Sequence, residues 1–282
     1  MSRILQTSVF NLETAATRVS VGETDPQQAS PAALEETPRP VRILPIMDPI
    51  RDSQDSAPAG EPEIVPGTSS TPKITAVPNR GASAPFLQEA TKLVYKLFTA
   101  AGDPALSSVL FCGIDQARNS SAICIRAAEI LAAQMQKSVC VVDANLRTPS
   151  MHGYFGLKNQ RGFSDAILQA GPLRGFAHQL EGGNLWVMTA GTIQSQGLIF
   201  SGGEQLRSRI LELRSLFDYV LIDAAPAGLF LDAVILGQLV DGAILVIESN
   251  STKREMAFQA KGALEAAKVR ILGAVLNSRK PT

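Results

Sequence analysis

Beyond Pro85 the apolar positions of this chain fall into two alternating periods. Phe86, Leu87, Ala90, Leu93, Val94, Leu97 and Phe98 recur at helical spacing and predict an amphipathic lead-in helix that stops near Gly102-Asp-Pro. Short apolar runs then predict strands at Val109-Leu-Phe-Cys, Val139-Cys-Val-Val, Leu185-Trp-Val-Met, Tyr219-Val-Leu-Ile, Ala243-Ile-Leu-Val-Ile and residues 271–276. Helices are predicted between them, over residues 121–135, 162–168, 204–216 and 253–267. Unbroken runs of valine, isoleucine and leucine without polar alternation are the mark of strands covered on both faces. Strand and helix in turn specify an α/β fold, a doubly wound and mostly parallel sheet with helices on both sides.

Residues 1–80 read differently. They hold most of the 17 prolines, with serine, threonine, glutamate and glutamine between them. Such a stretch buries too little apolar surface to offset the entropy of ordering, so a disordered arm (1–80) is expected before one compact domain (81–282). Apolar patches at residues 4–10, 41–47 and 63–65 interrupt the arm; they read as incidental hydrophobes of a linker, with docking peptides as the alternative.

Composition narrows the function. The 282 residues are 45% apolar and 18% charged with zero net charge, which excludes a strongly basic nucleic-acid binder. Cys112, Cys124 and Cys140 lie inside apolar runs without metal-ligand spacing and read as reduced thiols of a cytoplasmic protein. His152 and His178 are isolated. No apolar run reaches the length of a membrane span and no signal peptide is apparent, so work at a membrane requires recruitment by something else.

The chemistry centres on Val139-Cys-Val-Val-Asp-Ala-Asn-Leu-Arg-Thr-Pro, where an aspartate closes a buried strand. The carboxyl ends of strands form the functional rim of open α/β sheets, which places Asp143 where ligands bind. A carboxylate there equally serves as a helix cap. The first strand leads into a loop, residues 113–121, at the place of a phosphate-binding G-x-x-x-x-G-K-[ST] motif. Counting from Gly113 puts the lysine position at Asn119; counting back from Asp143 puts it nearer Ser120 or Ser121. Neither count gives a lysine, the late glycine is missing, and Asp115 adds an anion.

The succession of motifs nevertheless resembles one family. The segment from Val139 through Asp143, Asn145, Arg147 and Pro149 is similar to the apolar-x-D-x-D-L-R-x-P signature of bacterial tyrosine kinases, the BY-kinase or CpsD/CapB type. Gly162-Phe-Ser-Asp-Ala-Ile-Leu, Asn184-Leu-Trp-Val-Met-Thr-Ala-Gly and Phe217-Asp-Tyr-Val-Leu-Ile-Asp-Ala-Ala-Pro resemble its following elements, the last its Walker B strand. Asp232, Val240-Asp-Gly and Val275-Leu-Asn fall where the family has them. The resemblance covers roughly residues 86–280. It implies a P-loop NTPase-like domain of the deviant MinD/ParA type, ATP or ADP with Mg2+ as cofactors, and a place in capsular or exopolysaccharide biosynthesis.

Carried over by position, the resemblance makes Asp143 the carboxylate assisting magnesium or the attacking hydroxyl. Asn145 replaces a second aspartate, and Asp223 is the Walker B carboxylate. Ser120 or Ser121 supplies the magnesium hydroxyl, and Asn277 lies near the base. Gly113, Arg118, Asn119, Ser120 and Ser121 form the phosphate loop, with Arg118 a substitute cation whose Cβ crowds the backbone nest. Loss of the lysine and of one carboxylate weakens positioning and charge neutralisation, on which phosphoryl transfer depends.

The family's terminal tyrosine cluster is absent, the three tyrosines being Tyr95, Tyr154 and Tyr219. The ring-forming E-x-x-R-x-x-R helix reads Glu89-Ala-Thr-Lys-Leu-Val-Tyr95, which leaves homo-oligomerisation short of one ion pair. The expectation is a cytoplasmic, catalytically impaired regulator, recruited to the inner face of the membrane by a polysaccharide co-polymerase or a kinase-competent paralogue. An active tyrosine autokinase is one alternative, and a partitioning or division ATPase is another.

Overall fold

The structure, a computed structural model, describes residues 4–6, 84–98, 106–116, 120–192, 200, 203–249 and 251–278. All of them belong to one folded unit. In chain order the elements are β1 (Ile4–Gln6), α1 (Ala84–Phe98), β2 (Ser108–Gly113), α2 (Ser120–Met135), β3 (Val139–Asp143), α3 (Met151–Phe155) and α4 (Phe163–Leu168). A 3-10 turn (Leu173–Phe176) follows, then β4 (His178–Gln179), β5 (Leu185–Met188), α5 (Gly203–Leu216), β6 (Tyr219–Ala224), α6 (Asp232–Gly237), β7 (Gly242–Glu248), α7 (Arg254–Ala266) and β8 (Ile271–Ser278).

The sheet has eight strands in the order β1-β8-β7-β2-β6-β3-β5-β4. Its six inner strands pair in parallel, while β1 and β4 run antiparallel at the two edges. The doubly wound, mostly parallel sheet expected from the sequence is therefore present. Strand β1 departs from the expectation for the arm: residues 4–6 pair with Leu276, Asn277 and Ser278. The rest of the arm, with its patches at residues 41–47 and 63–65, lies outside the described residues.

Side chains alternate between two cores, as period-two geometry requires. Val109 and Phe111 of β2, with Val139 and Val141 of β3, pack under α1, α2 and α3. Leu110 and Cys112, with Cys140 and Val142, face α4, α5, α6 and α7. All six residues of β2 and all five of β3 are buried, which is why both read as unbroken apolar runs. Each fully buried Leu, Ile or Phe contributes roughly 1.5–3 kcal/mol by leaving water.

Two motifs of the sequence prove to be joints of this frame. Asp241, in Val240-Asp-Gly, accepts from the backbone N–H groups of Ser107 and Ser108 at 2.9 and 2.8 Å and pairs with Arg214 at 2.5 Å. It fixes β2 and β7 at the end opposite the rim. Asp165, in Gly162-Phe-Ser-Asp, accepts from the N–H groups of Gly162 and Thr192 at 3.0 and 2.9 Å and from the Thr192 hydroxyl. It ties the start of α4 to the chain leaving β5.

Candidate functional site

The carboxyl ends of β2, β6 and β3 lie side by side at the centre of the sheet, bringing Gly113, Asp223 and Asp143 onto one rim. The loop after β6 braces the loop after β2. Ala227 and Gly228 donate their N–H groups to the carbonyls of Gly113 and Ile114 at 2.9 and 3.1 Å. A side chain at Gly228 would put Cβ 2.4 Å from the Ile114 oxygen, so glycine is required by close approach. Thus the apolar runs place the strand ends, and backbone bonds between their loops fix the rim.

Asp143 and Asp223 are neighbours in register, and both are fully buried. Asp143 Oδ2 accepts from the N–H groups of Ser150 and Met151 at 2.9 and 3.0 Å, at the start of α3. Asp223 Oδ2 accepts from the Ser121 hydroxyl at 2.5 Å. The second oxygen of each carboxylate, Oδ1, is buried without a hydrogen-bond partner. Burial, and then the charge of Asp143, push the Asp223 carboxyl up to about 8, against the pull of the Ser121 and Ser120 hydroxyls. Burial also raises Asp143, offset in part by N–H groups from Met151, Ser150 and Asn145. Two adjacent carboxylates at this depth repel unless a proton or a cation sits between them.

These residues fit a hard divalent cation. The orphaned Oδ1 atoms are the oxygen donors that Mg2+ takes, and Ser121 stands beside them as a hydroxyl donor. Asp143, Asp223 and Ser121 would hold it, and it would supply positive charge between the two carboxylates. Among the described residues no group of three His, Cys, Asp or Glu could hold a metal alone, so phosphate or water oxygens would have to complete such a site.

Beside this pair opens a cleft of about 550 Å3, bounded by Ser120, Ser121, Asn145, Arg147 and Phe230. Arg147 holds the cleft wall: its guanidinium bonds both oxygens of buried Asp232, at 2.9 and 3.1 Å, and lies 3.9 Å from the centre of the Phe230 ring. Asn145 spends its side-chain oxygen on Thr148, accepting from the backbone N–H at 3.2 Å. Asp115 turns to the β7–α7 loop, where the Thr252 hydroxyl donates to it at 2.9 Å.

The structure thus brings Gly113, Ser120, Ser121, Asp143, Asn145 and Asp223 together. Asn277 lies one residue before the end of β8, farther along the rim, donating its amide to buried Glu248 at 2.7 Å. Arg118 and Asn119 lie outside the described residues. Sequence reasoning passed over Glu248, although it closes the apolar run of β7 just as Asp143 closes that of β3.

No protein-family model matches the chain. It is 32% identical over 151 residues to the tyrosine-protein kinase YwqD of Bacillus subtilis, covering 54% of this chain and 64% of that protein. It is 28% identical over 145 residues to the putative tyrosine-protein kinase CapB of Staphylococcus aureus, covering 51% and 64%. The chain therefore spans just under two thirds of the length of these curated relatives. The kinase domain of the Escherichia coli tyrosine kinase ETK superposes with a TM-score of 0.64 at 21% identity, covering 70% of this chain and 77% of that one. A ParA family ATPase from Chlorobium tepidum superposes with a TM-score of 0.53 at 15% identity, over 62% and 74%. The motif succession, the sheet order and these likenesses agree: the chain is similar to bacterial tyrosine kinases of the CpsD and CapB type and has a P-loop NTPase-like fold.

Proposed function

We propose that this chain is a catalytically impaired member of the family that acts as a regulatory partner in capsular or exopolysaccharide biosynthesis and export. The observation that carries the reading is a mismatch at the rim. The Asp143–Asp223 pair stands ready for a cation, while residues 113–121 contain no lysine to meet a phosphate. A charge-assisted hydrogen bond to phosphate is worth about 1.5–3 kcal/mol, so its loss alone lowers nucleotide affinity roughly ten- to a hundredfold. Asn145 stands where the family carries a second carboxylate, and its oxygen is engaged by Thr148. ATP or ADP with Mg2+ is bound weakly.

Recruitment follows from the same reading. No helix among the described residues is long and apolar enough to cross a membrane. The proposed partner is the cytoplasmic tail of a membrane polysaccharide co-polymerase or a kinase-competent paralogue, met at the inner face of the membrane. On α1, Lys92 is paired within the helix to Glu89 at 2.7 Å, and Tyr95 follows at the next turn, an arrangement that supports weak self-assembly. Residues 1–80, apart from the segment 4–6 that pairs with β8, serve as a linker to the domain of residues 81–282. Pull-down of the co-polymerase tail tests this: residues 81–282 and the full chain should capture it equally. Capture by the full chain alone places docking in the arm and contradicts the linker role.

One observation favours a working autokinase, the partnerless Oδ1 atoms of Asp143 and Asp223 that fit magnesium. The Asp-Ala-Asn-Leu-Arg-Thr-Pro segment separates both readings from a partitioning ATPase.

A further inference from the structure

A cavity of about 770 Å3 lies between the start of α1, the second half of α2 and the turn joining β4 to β5. Its lining shares no residue with the cleft beside Ser121. Leu87, Ile130, Phe155, Leu180 and Leu185 give it an apolar wall. Its volume is that of small-molecule pockets, roughly 300–1,000 Å3, which combine apolar walls with a few placed polar groups.

Polar side chains on the lining include Arg126, Glu129, Gln134, Glu181 and Asn184; the cation among them is Arg126, on α2, 8% exposed. Its Nη1 lies 2.6 Å from Glu129 Oε2, and its Nη2 donates to the Tyr154 hydroxyl at 3.3 Å. Tyr154 in turn donates to Glu129 Oε1 at 3.2 Å. An arginine carries about five N–H donors, so this network leaves donors over on the cavity wall. Burial raises the Glu129 carboxyl, against the opposing pull of the Arg126 charge and the Tyr154 hydroxyl. Apolar surface beside spare guanidinium donors calls for a ligand with an apolar body and an acceptor-rich head.

We propose that this cavity binds an amphipathic acid, with an acyl or aryl body against Leu87, Ile130, Phe155 and Leu185 and an anionic head on Arg126. This site is independent of the nucleotide reading. The probe is 1-anilinonaphthalene-8-sulfonate, titrated into the full chain by fluorescence and displaced with dodecanoate or dodecyl phosphate. One saturable site of micromolar affinity is expected, with displacement by either amphiphile, the stronger competitor naming the head group. Ala133 lies exposed on the cavity wall, so Ala133→Trp should fill the cavity without disturbing the core and abolish saturable binding. Arg126→Met should weaken binding about tenfold or more. Phe258→Ser, which removes a 56% exposed aromatic ring from α7, should leave binding unchanged. Fluorescence that does not saturate, that neither amphiphile displaces, or that is equal in Ala133→Trp and the native chain overturns the proposal. Should Arg126→Met fail to fold, the Ala133→Trp comparison decides alone.

Discussion

Asp143 and Asp223 stand opposite each other on β3 and β6, both fully buried, each with one oxygen bonded and the other without a partner. The pair makes stability depend on pH. The Asp223 carboxyl is pushed up to about 8 in the fold, against about 3.9 in an unfolded chain. Between those values the folded state holds a proton that the unfolded state has lost, so stability falls as pH rises through the window and levels above it. Asp143, also raised, acts in the same direction. Asp218 and Asp241 are lowered, so their contribution is lost only in acid, below the window. Without magnesium, Tm should fall by about 5 °C or more between pH 5 and pH 8, and Asp223→Asn should flatten the profile. A profile that Asp223→Asn leaves unchanged would show that the pair does not govern it.

The clamp between Arg147 and Asp232 is a second test. Removing the arginine leaves a buried carboxylate without its bidentate partner. Arg147→Ala should cost about 2–3 kcal/mol in urea unfolding. Arg147→Ala combined with Asp232→Ala should recover part of that loss. Equal losses for the single and double variants would mean that the pair is not coupled.

Gly191 and Gly156 separate strain from collision. Both have positive φ, 83° and 68°, but only at Gly191 would a Cβ meet neighbours, 2.2 Å from Asp165 Oδ2 and 2.7 Å from Ser164 Oγ. At Gly156 nothing lies within 4 Å. Gly156→Ala should cost about 1 kcal/mol, the left-handed penalty alone. Gly191→Ala should cost about 2–4 kcal/mol by breaking the Asp165 joint, and similar losses at both sites would contradict that account.

Much of this frame was legible in the residues. Unbroken apolar runs marked β2, β3, β6 and β7, and an aspartate ending two of them marked the rim. Helices α3 and α6 were not foreseen: at five and six residues they carry less than two turns of pattern, and of such short helices only α4 was expected. Their formation depends on tertiary partners: Met151 and Phe155 anchor α3 in one core, while Asp143 accepts from its first N–H groups. Strand β1 was hidden for a related reason. Its pairing with β8 joins positions at opposite ends of the sequence, which no local pattern reports. The Glu248–Asn277 bond across β7 and β8 is of the same kind.

Tyrosine chemistry gives a prediction of its own. Tyr95 is 62% exposed on α1, whereas Tyr154 and Tyr219 are partly buried in packed elements. With no lysine in residues 113–121, incubation with ATP, magnesium and a co-polymerase tail should yield no phosphotyrosine by mass spectrometry. Stoichiometric modification that disappears in Asp143→Ala would establish a working kinase.

The most direct test of the central claim is calorimetric titration of the full chain with ATP and ADP, with and without magnesium. Impairment of the phosphate loop predicts dissociation constants well above the micromolar range for both nucleotides, with little gain from magnesium. Tight, magnesium-dependent ATP binding that Asp223→Ala abolishes would contradict it and show that the rim still serves a nucleotide.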